Sequence, residues 1–210
     1  MLEHKDHPGQ SKWHAYAIIF LGGFLARLLY KIRIHGATNV PLQDSLMVLS
    51  KHQRFADIPL GTYALWSESK RHPWAIMKDS LAGPIFRKFF QRCGGIPINR
   101  KNPEKSKSQF AFAKEVLLQK QILTVFPEQT LYPGKMGKGK EGGFKLITGN
   151  LQESLAVICV GFRYQKLLFR TQVDIHIGTV KNLLAGENVS AFFVERMQEI
   201  AELSAMQYMH

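Results

Sequence analysis

Three short stretches of the chain carry residue types that can do chemistry. The first is KHQRFADIP, in which His52 and Asp57 follow a short apolar run and precede a helical pattern with Pro59 in its first turn. Strand-to-helix turns commonly hold reacting groups in α/β folds. Neutral imidazole, with an ordinary pKa of about 6.5, can take a proton from a hydroxyl. A carboxylate behind it fixes the tautomer and stabilises the imidazolium. This spacing does not place two side chains on one face of a regular helix, but a turn entering a helix can bring them together. The same residues also have a plain structural reading, with Asp57 as the helix N-cap and His52 as an ordinary loop residue.

The second stretch is GGIPINR, residues 94–100. Gly94 and Gly95 let the backbone approach a ligand closely, and Arg100 can grip a phosphate through its fork. Its structural alternative is a turn, an edge strand and a surface arginine. The third is FPEQT, residues 126–130, at the end of the apolar run ILTVF. Glu128 on this corner could accept a hydrogen bond from a substrate hydroxyl, or the Pro-Glu pair could simply end a strand. Lys135, Lys138 and Lys140 follow in a glycine-rich loop, as a cationic rim or as a solvated loop.

These groups need elements to position them. Alternating or buried-type patterns predict strands at 31–36, 45–50, 74–77, 95–99, 122–126, 155–164 and 172–180. Helical patterns cover a stretch beginning near Asp57, then 80–92, 105–121 and 190–207, with a loop at 132–143. Strands alternating with helices predict an α/β domain with a largely parallel or mixed sheet flanked by helices. Residues 1–30 read as a separate N-terminal apolar segment and 31–210 as the domain. The run 13–30 is strongly apolar, but Gly22-Gly23 interrupts it and Arg27 lies within it. A membrane-spanning helix needs about 20 apolar residues. The run reads instead as an interfacial anchor, two short helices bent at the glycines with Trp13, Tyr16 and Tyr30 near its ends. The alternative is a helix packed on the domain.

The 210 residues carry 28 Lys and Arg against 16 Asp and Glu, a formal charge of +12. That excess points to an anionic partner such as nucleic acid, anionic lipid or a phosphorylated small molecule. No recognisable nucleic-acid module is present, and the N-terminal apolar segment suits such a partner poorly. Cys93 and Cys159 are far apart and suggest neither zinc nor a disulfide framework, which fits a reducing, cytosol-facing environment.

Taken together, HQRFAD (52–57), GGIPINR (94–100), FPEQTL (126–131) and VICV (157–160) resemble, in order and spacing, the four blocks of the glycerolipid acyltransferase superfamily typified by 1-acylglycerol-3-phosphate O-acyltransferases. The flanks KIRIHGATNVP and KGKEGGFKLI are similar too. The resemblance implies a single-domain acyltransferase fold, with His52 as general base and Asp57 orienting it. It implies acyl transfer from acyl-CoA or acyl carrier protein to a lysophospholipid hydroxyl in phospholipid biosynthesis, at an anionic membrane surface on the cytoplasmic face. It implies no metal and no bound cofactor, the thioester being a co-substrate. Gly95, Arg100, Glu128 and Thr130 fall in its substrate-binding blocks. The chain departs from the pattern at Lys51 for Asn, Arg54 for Ser, Gln129 for Gly, Leu131 for Arg and Cys159 for Pro. Losing the arginine at 131 removes one bidentate phosphate donor, for which Arg54 or Lys135 could substitute. It also leaves open a different acceptor, an aminolipid or a non-phosphorylated alcohol. A non-catalytic lipid-binding relative is the further alternative, and retention of His52 and Asp57 speaks against it.

Overall fold

In the computed structural model, which describes residues 7–81, 84–149 and 153–210, strands and helices alternate through most of the chain. The strands are β1 (Tyr30–His35), β2 (Leu46–Ser50), β3 (Trp74–Lys78), β4 (Gly95–Ile98), β5 (Ile122–Val125), β6 (Leu155–Lys166), β7 (Thr171–Ile177) and β8 (Lys181–Leu183). They form one sheet in the order β1-β7-β6-β2-β5-β3-β4, with β8 also paired to β6. Strands β4, β3, β5, β2 and β6 run parallel. β7 and β8 are antiparallel to β6, and β1 is parallel to β7. The sheet is therefore mixed, as expected.

The helices are α1 (Lys12–Phe20), α2 (Ala26–Leu29), α3 (Asp57–Ser69), α4 (Pro84–Arg92), α5 (Lys107–Leu118), α6 (Glu141–Thr148) and α7 (Val189–Leu203). The period-2 alternation of the strands decides which helices pack on which face. In β2, Leu46 and Val48 join a core with Leu60, Ala64 and Leu65 of α3. Met47 and Leu49 point the other way, into a core built with Phe112 and Val116 of α5, Phe144 of α6, and Phe193 and Met197 of α7. All five β2 residues are buried, the signature of a central parallel strand.

The structure adjusts several sequence expectations. The helix expected at 80–92 is seen over Pro84–Arg92, and residues 82–83 lie outside the described set. The strand expected at 172–180 ends at Ile177, and Lys181–Leu183 turns back onto the start of β6. The loop expected at 132–143 gives way to α6 at Glu141. The last helix ends at Leu203 and not at 207, with Ala205 in the left-handed region just beyond.

The N-terminal segment comprises two short helices with its glycines between them. It keeps helical dihedrals throughout and widens into a π-turn over Leu21–Leu25 between α1 and α2. The reason is close packing. A Cβ on Gly22 would stand 1.8 Å from the Pro59 carbonyl oxygen, and one on Gly23 would meet the Tyr63 ring at 2.5 Å. One side of the segment thus packs on α3. The opposite side leaves Trp13, Phe20, Phe24, Leu25, Leu28 and Leu29 exposed, while Tyr16 lies edge-on to Trp66 of α3. No helix among the described residues is long and apolar enough to cross a membrane.

Candidate active site

The loop from β2 to α3 is built around one carboxylate. Asp57 is buried at the start of α3, and its Oδ2 accepts the backbone N–H groups of Gln53 at 2.5 Å and Arg54 at 2.7 Å. The Tyr164 hydroxyl, from the far end of β6, donates to Asp57 Oδ1. The carboxylate therefore organises the loop behind it, while the N-cap position is Ala56 with no side-chain capping bond. His52 Nδ1 lies 3.6 Å from Asp57 Oδ2, and among the described residues it has no hydrogen-bond partner. A small shift would close that gap, and catalytic hydrogen bonds often tighten only when substrate binds. The imidazole packs on the Phe126 ring at a centroid distance of 4.5 Å. With Nδ1 facing Asp57, Nε2 is the nitrogen left for proton exchange. A small cavity between α3 and the sheet, walled by Val48, Thr62, Leu65, Ala75 and Thr124 among others, reaches Asp57 and Phe126 but not His52.

A second buried carboxylate ties this loop to the one after β5. Lys51 is 0% exposed, and its Nζ donates to both Glu128 oxygens at 2.8 and 2.6 Å and to the Tyr132 carbonyl at 3.1 Å. Glu128 also accepts the N–H groups of Gly137 at 2.5 Å and His52 at 3.4 Å. Tyr132 N–H closes the seam on the His52 carbonyl at 3.0 Å. Burial pushes the Lys51 pKa down, opposed by its hydrogen bond to Glu128 and by the charges of Glu128 and Asp57. Glu128, read from sequence as a contact for a substrate hydroxyl, is thus turned inward and engaged by groups of its own chain.

The remaining residues singled out from sequence fall in different places. Arg100 follows β4 at the carboxyl edge of the sheet, the same edge as His52, and donates to the Gln129 carbonyl. Burial lowers its pKa, with Asp79 opposing. Gln129 has φ +59°, a conformation that glycine adopts without strain. Arg54 is exposed, with its guanidinium 4.3 Å over the Tyr164 ring. Thr130 and Lys135 are exposed on the loop that Glu128 anchors. Gly95 lies apart from these residues. It begins β4 at the opposite, amino edge of the sheet, where its carbonyl accepts from the buried His7 and a Cβ would strike Met77 Sδ at 2.6 Å. Close packing leaves no room for a Cβ at that position.

Sequence reasoning missed three residues that shape the site: Lys51 as the partner of Glu128, Tyr164, and Gln53. Gln53 donates to the Phe162 carbonyl at 2.7 Å and accepts from Gly134 N–H at 3.2 Å. The alternation in β6 places Tyr164 on the same face as Phe162 and Val160. Only the pairing of β6 beside β2 shows that this face reaches Asp57.

The model of a family described as Acyltransferase matches residues 31–160. Among solved structures, the chain is similar to the 1-acyl-sn-glycerophosphate (LPA) acyltransferase PlsC from Thermotoga maritima. The TM-score is 0.63 at 18% identity, over 91% of this chain and 80% of that one. No curated protein matches in sequence.

The buried ion pair makes a sharp prediction. Lys51→Met should destabilise the protein by about 3–5 kcal/mol, because it strands the Glu128 charge in the interior. Adding Glu128→Leu should recover much of that loss, since removing both charges is far cheaper than removing one. Urea unfolding midpoints of the two variants check this. Equal stability of the single and double variants would show that the pairing is unimportant.

Proposed function

The chain belongs to the acyltransferase family, and from that premise we propose that it moves a fatty acyl group from the thioester of acyl-CoA or acyl carrier protein to a hydroxyl of a membrane lysophospholipid, such as 1-acylglycerol-3-phosphate, in phospholipid biosynthesis. The observation that carries this reading is the His52–Asp57 arrangement, with Nδ1 facing a carboxylate that three donors hold in place. In this mechanism His52 Nε2 takes the proton of the acceptor hydroxyl as the oxygen attacks the thioester carbonyl. The tetrahedral intermediate collapses, the C–S bond breaks, and the imidazolium returns the proton to the leaving thiolate. The products are an acylated lipid and a free thiol. Asp57 stabilises the imidazolium between these steps, and Tyr164 positions Asp57. No metal and no bound cofactor take part. Arg100, Arg54, Thr130 and Lys135 line the acceptor side. The exposed face of residues 13–29 rests on an anionic membrane surface at its cytoplasmic side, favoured by the +12 charge.

A second reading changes only the acceptor. Leu131 offers no phosphate donor, and Arg100 already donates to the Gln129 carbonyl. An acceptor without a phosphomonoester, such as an aminolipid, would suit that loop.

The direct test is to incubate the protein with labelled acyl-CoA and a panel of lyso-acceptors and identify products by mass. His52→Ala should lower transfer about 10²- to 10⁴-fold while the fold persists, and near-normal turnover by the folded variant would end the mechanism. Tyr164→Phe keeps the ring beneath Arg54 but removes a donor to Asp57. Without that donor the carboxylate is less firmly placed beside His52, so kcat should fall severalfold with the acceptor KM little changed. A lower melting temperature with an unchanged kcat would assign Tyr164 a purely structural role. For the acceptor, Arg100→Ala should raise its KM roughly ten- to a hundredfold if the arginine grips a phosphate, and Leu131→Arg should improve use of phosphorylated acceptors. No effect of either substitution would favour the second reading.

A further inference from the structure

The apex of the β6–β7 hairpin breaks a local rule. β6 pairs with β2 only as far as Val160 and then continues to Lys166, supported on one side by β7. Those six extra residues carry the hairpin roughly 20 Å past the end of β2 at about 3.3 Å per residue. At the tip, Leu167 N–H bonds the Arg170 carbonyl at 2.8 Å, closing a tight turn with Leu168 and Phe169 at its centre. Turn centres in water favour Gly, Asn and Asp. Here they are two large apolar residues, 87% and 90% exposed. A violation of local preference with no packing gain points to a role outside the folded core.

The topology says what that role faces. Tyr30 pairs with Thr171, so the N-terminal segment enters the sheet beside this hairpin. Arg170 reaches the Arg27 carbonyl at 3.5 Å. Because β6 is parallel to β2, the apex rises from the carboxyl edge that carries His52. Exposed Leu28 and Leu29 at the end of α2, exposed Phe55 in the loop between His52 and Asp57, and Leu168 and Phe169 all belong to this edge. Arg27, Arg54, Lys166 and Arg170, all exposed, lie among them. Apolar tips interleaved with cations are complementary to an anionic bilayer, with apolar groups below the headgroups and cations at their level.

We propose that Leu168 and Phe169 form a second membrane anchor, inserting into the interfacial layer of an anionic phospholipid bilayer and, with the end of the N-terminal segment, holding the mouth of the His52 site against the lipid. The proposal deepens the reading above, in that it rests on a membrane lipid being the acceptor. It also explains how a site at the sheet edge could receive a hydroxyl at headgroup level without the lipid leaving the bilayer.

The test is co-sedimentation of the full chain with vesicles of phosphatidylcholine and phosphatidylglycerol, which reads docking without acyl transfer. Leu168→Ser/Phe169→Ser should lower the vesicle partition coefficient about tenfold or more, with an unchanged melting temperature and unchanged turnover of a short-chain, water-soluble acceptor. As an independent readout, Phe169→Trp should be quenched by bilayers with brominated acyl chains more than the wild type is. Wild-type binding by the double serine variant, or an effect confined to affinity for acyl carrier protein, would overturn the proposal. So would failure of the wild-type chain to bind anionic vesicles. If the apex proves necessary for docking but no lyso-acceptor is acylated, the anchor stands and the assigned reaction falls.

Discussion

The candidate site depends on a buried ion pair between two loops. Lys51 and Glu128 lie 77 positions apart and meet at 2.6–2.8 Å in the interior. A charge in that environment is tolerated only with its partner and with its remaining hydrogen-bonding capacity filled. The structure meets this condition. Lys51 also donates to Tyr132, and Glu128 also accepts from Gly137 and His52. The loops after β2 and β5 thereby become one rigid corner, on which His52 is held against Phe126. Asp57 repeats the device at smaller scale, with one carboxylate gathering two backbone N–H groups and a hydroxyl. The imidazole thus lies between two networks of fixed dipoles, the kind of preorganisation that lowers reorganisation cost in a polar reaction.

The departures from the four-block pattern are coupled through this corner. Lysine at 51 is matched by the inward turn of Glu128. Glutamine at 129 takes a left-handed conformation, and its carbonyl accepts from Arg100. Leucine at 131 follows in the same loop, beside the tyrosine whose carbonyl meets Lys51. A change at any of these positions alters the surroundings of the others. The loop after β5 is therefore better treated as one repacked unit than as a set of independent substitutions.

The N-terminal segment has two unlike sides. Its glycines press against Pro59 and Tyr63, so it is a packed helix on one side. Its aromatic and leucine side chains stand clear on the other, so it also presents an apolar surface. A helix has two sides, and an all-round apolar sequence does not say which of them the domain will cover.

Much of the fold was legible in the sequence because it rests on local periodicity. The run SLMVLS read as a buried-type strand, and the order of strands and helices argued for an α/β sheet. His52 and Asp57 were legible as a candidate pair because only four residues of turn separate them. Tertiary structure decided what depends on distant partners. That Glu128 faces inward follows from Lys51, whose burial no local pattern announces. That Tyr164 reaches Asp57 follows from β6 lying beside β2 and outrunning it. That Gly95 lies at the opposite edge of the sheet from His52 follows from the strand polarity of β4. Periodicity reports which face of an element is apolar. Strand order, polarity and length fix which residues from opposite ends of the chain share an edge, and the chemistry at that edge is set by such long-range meetings.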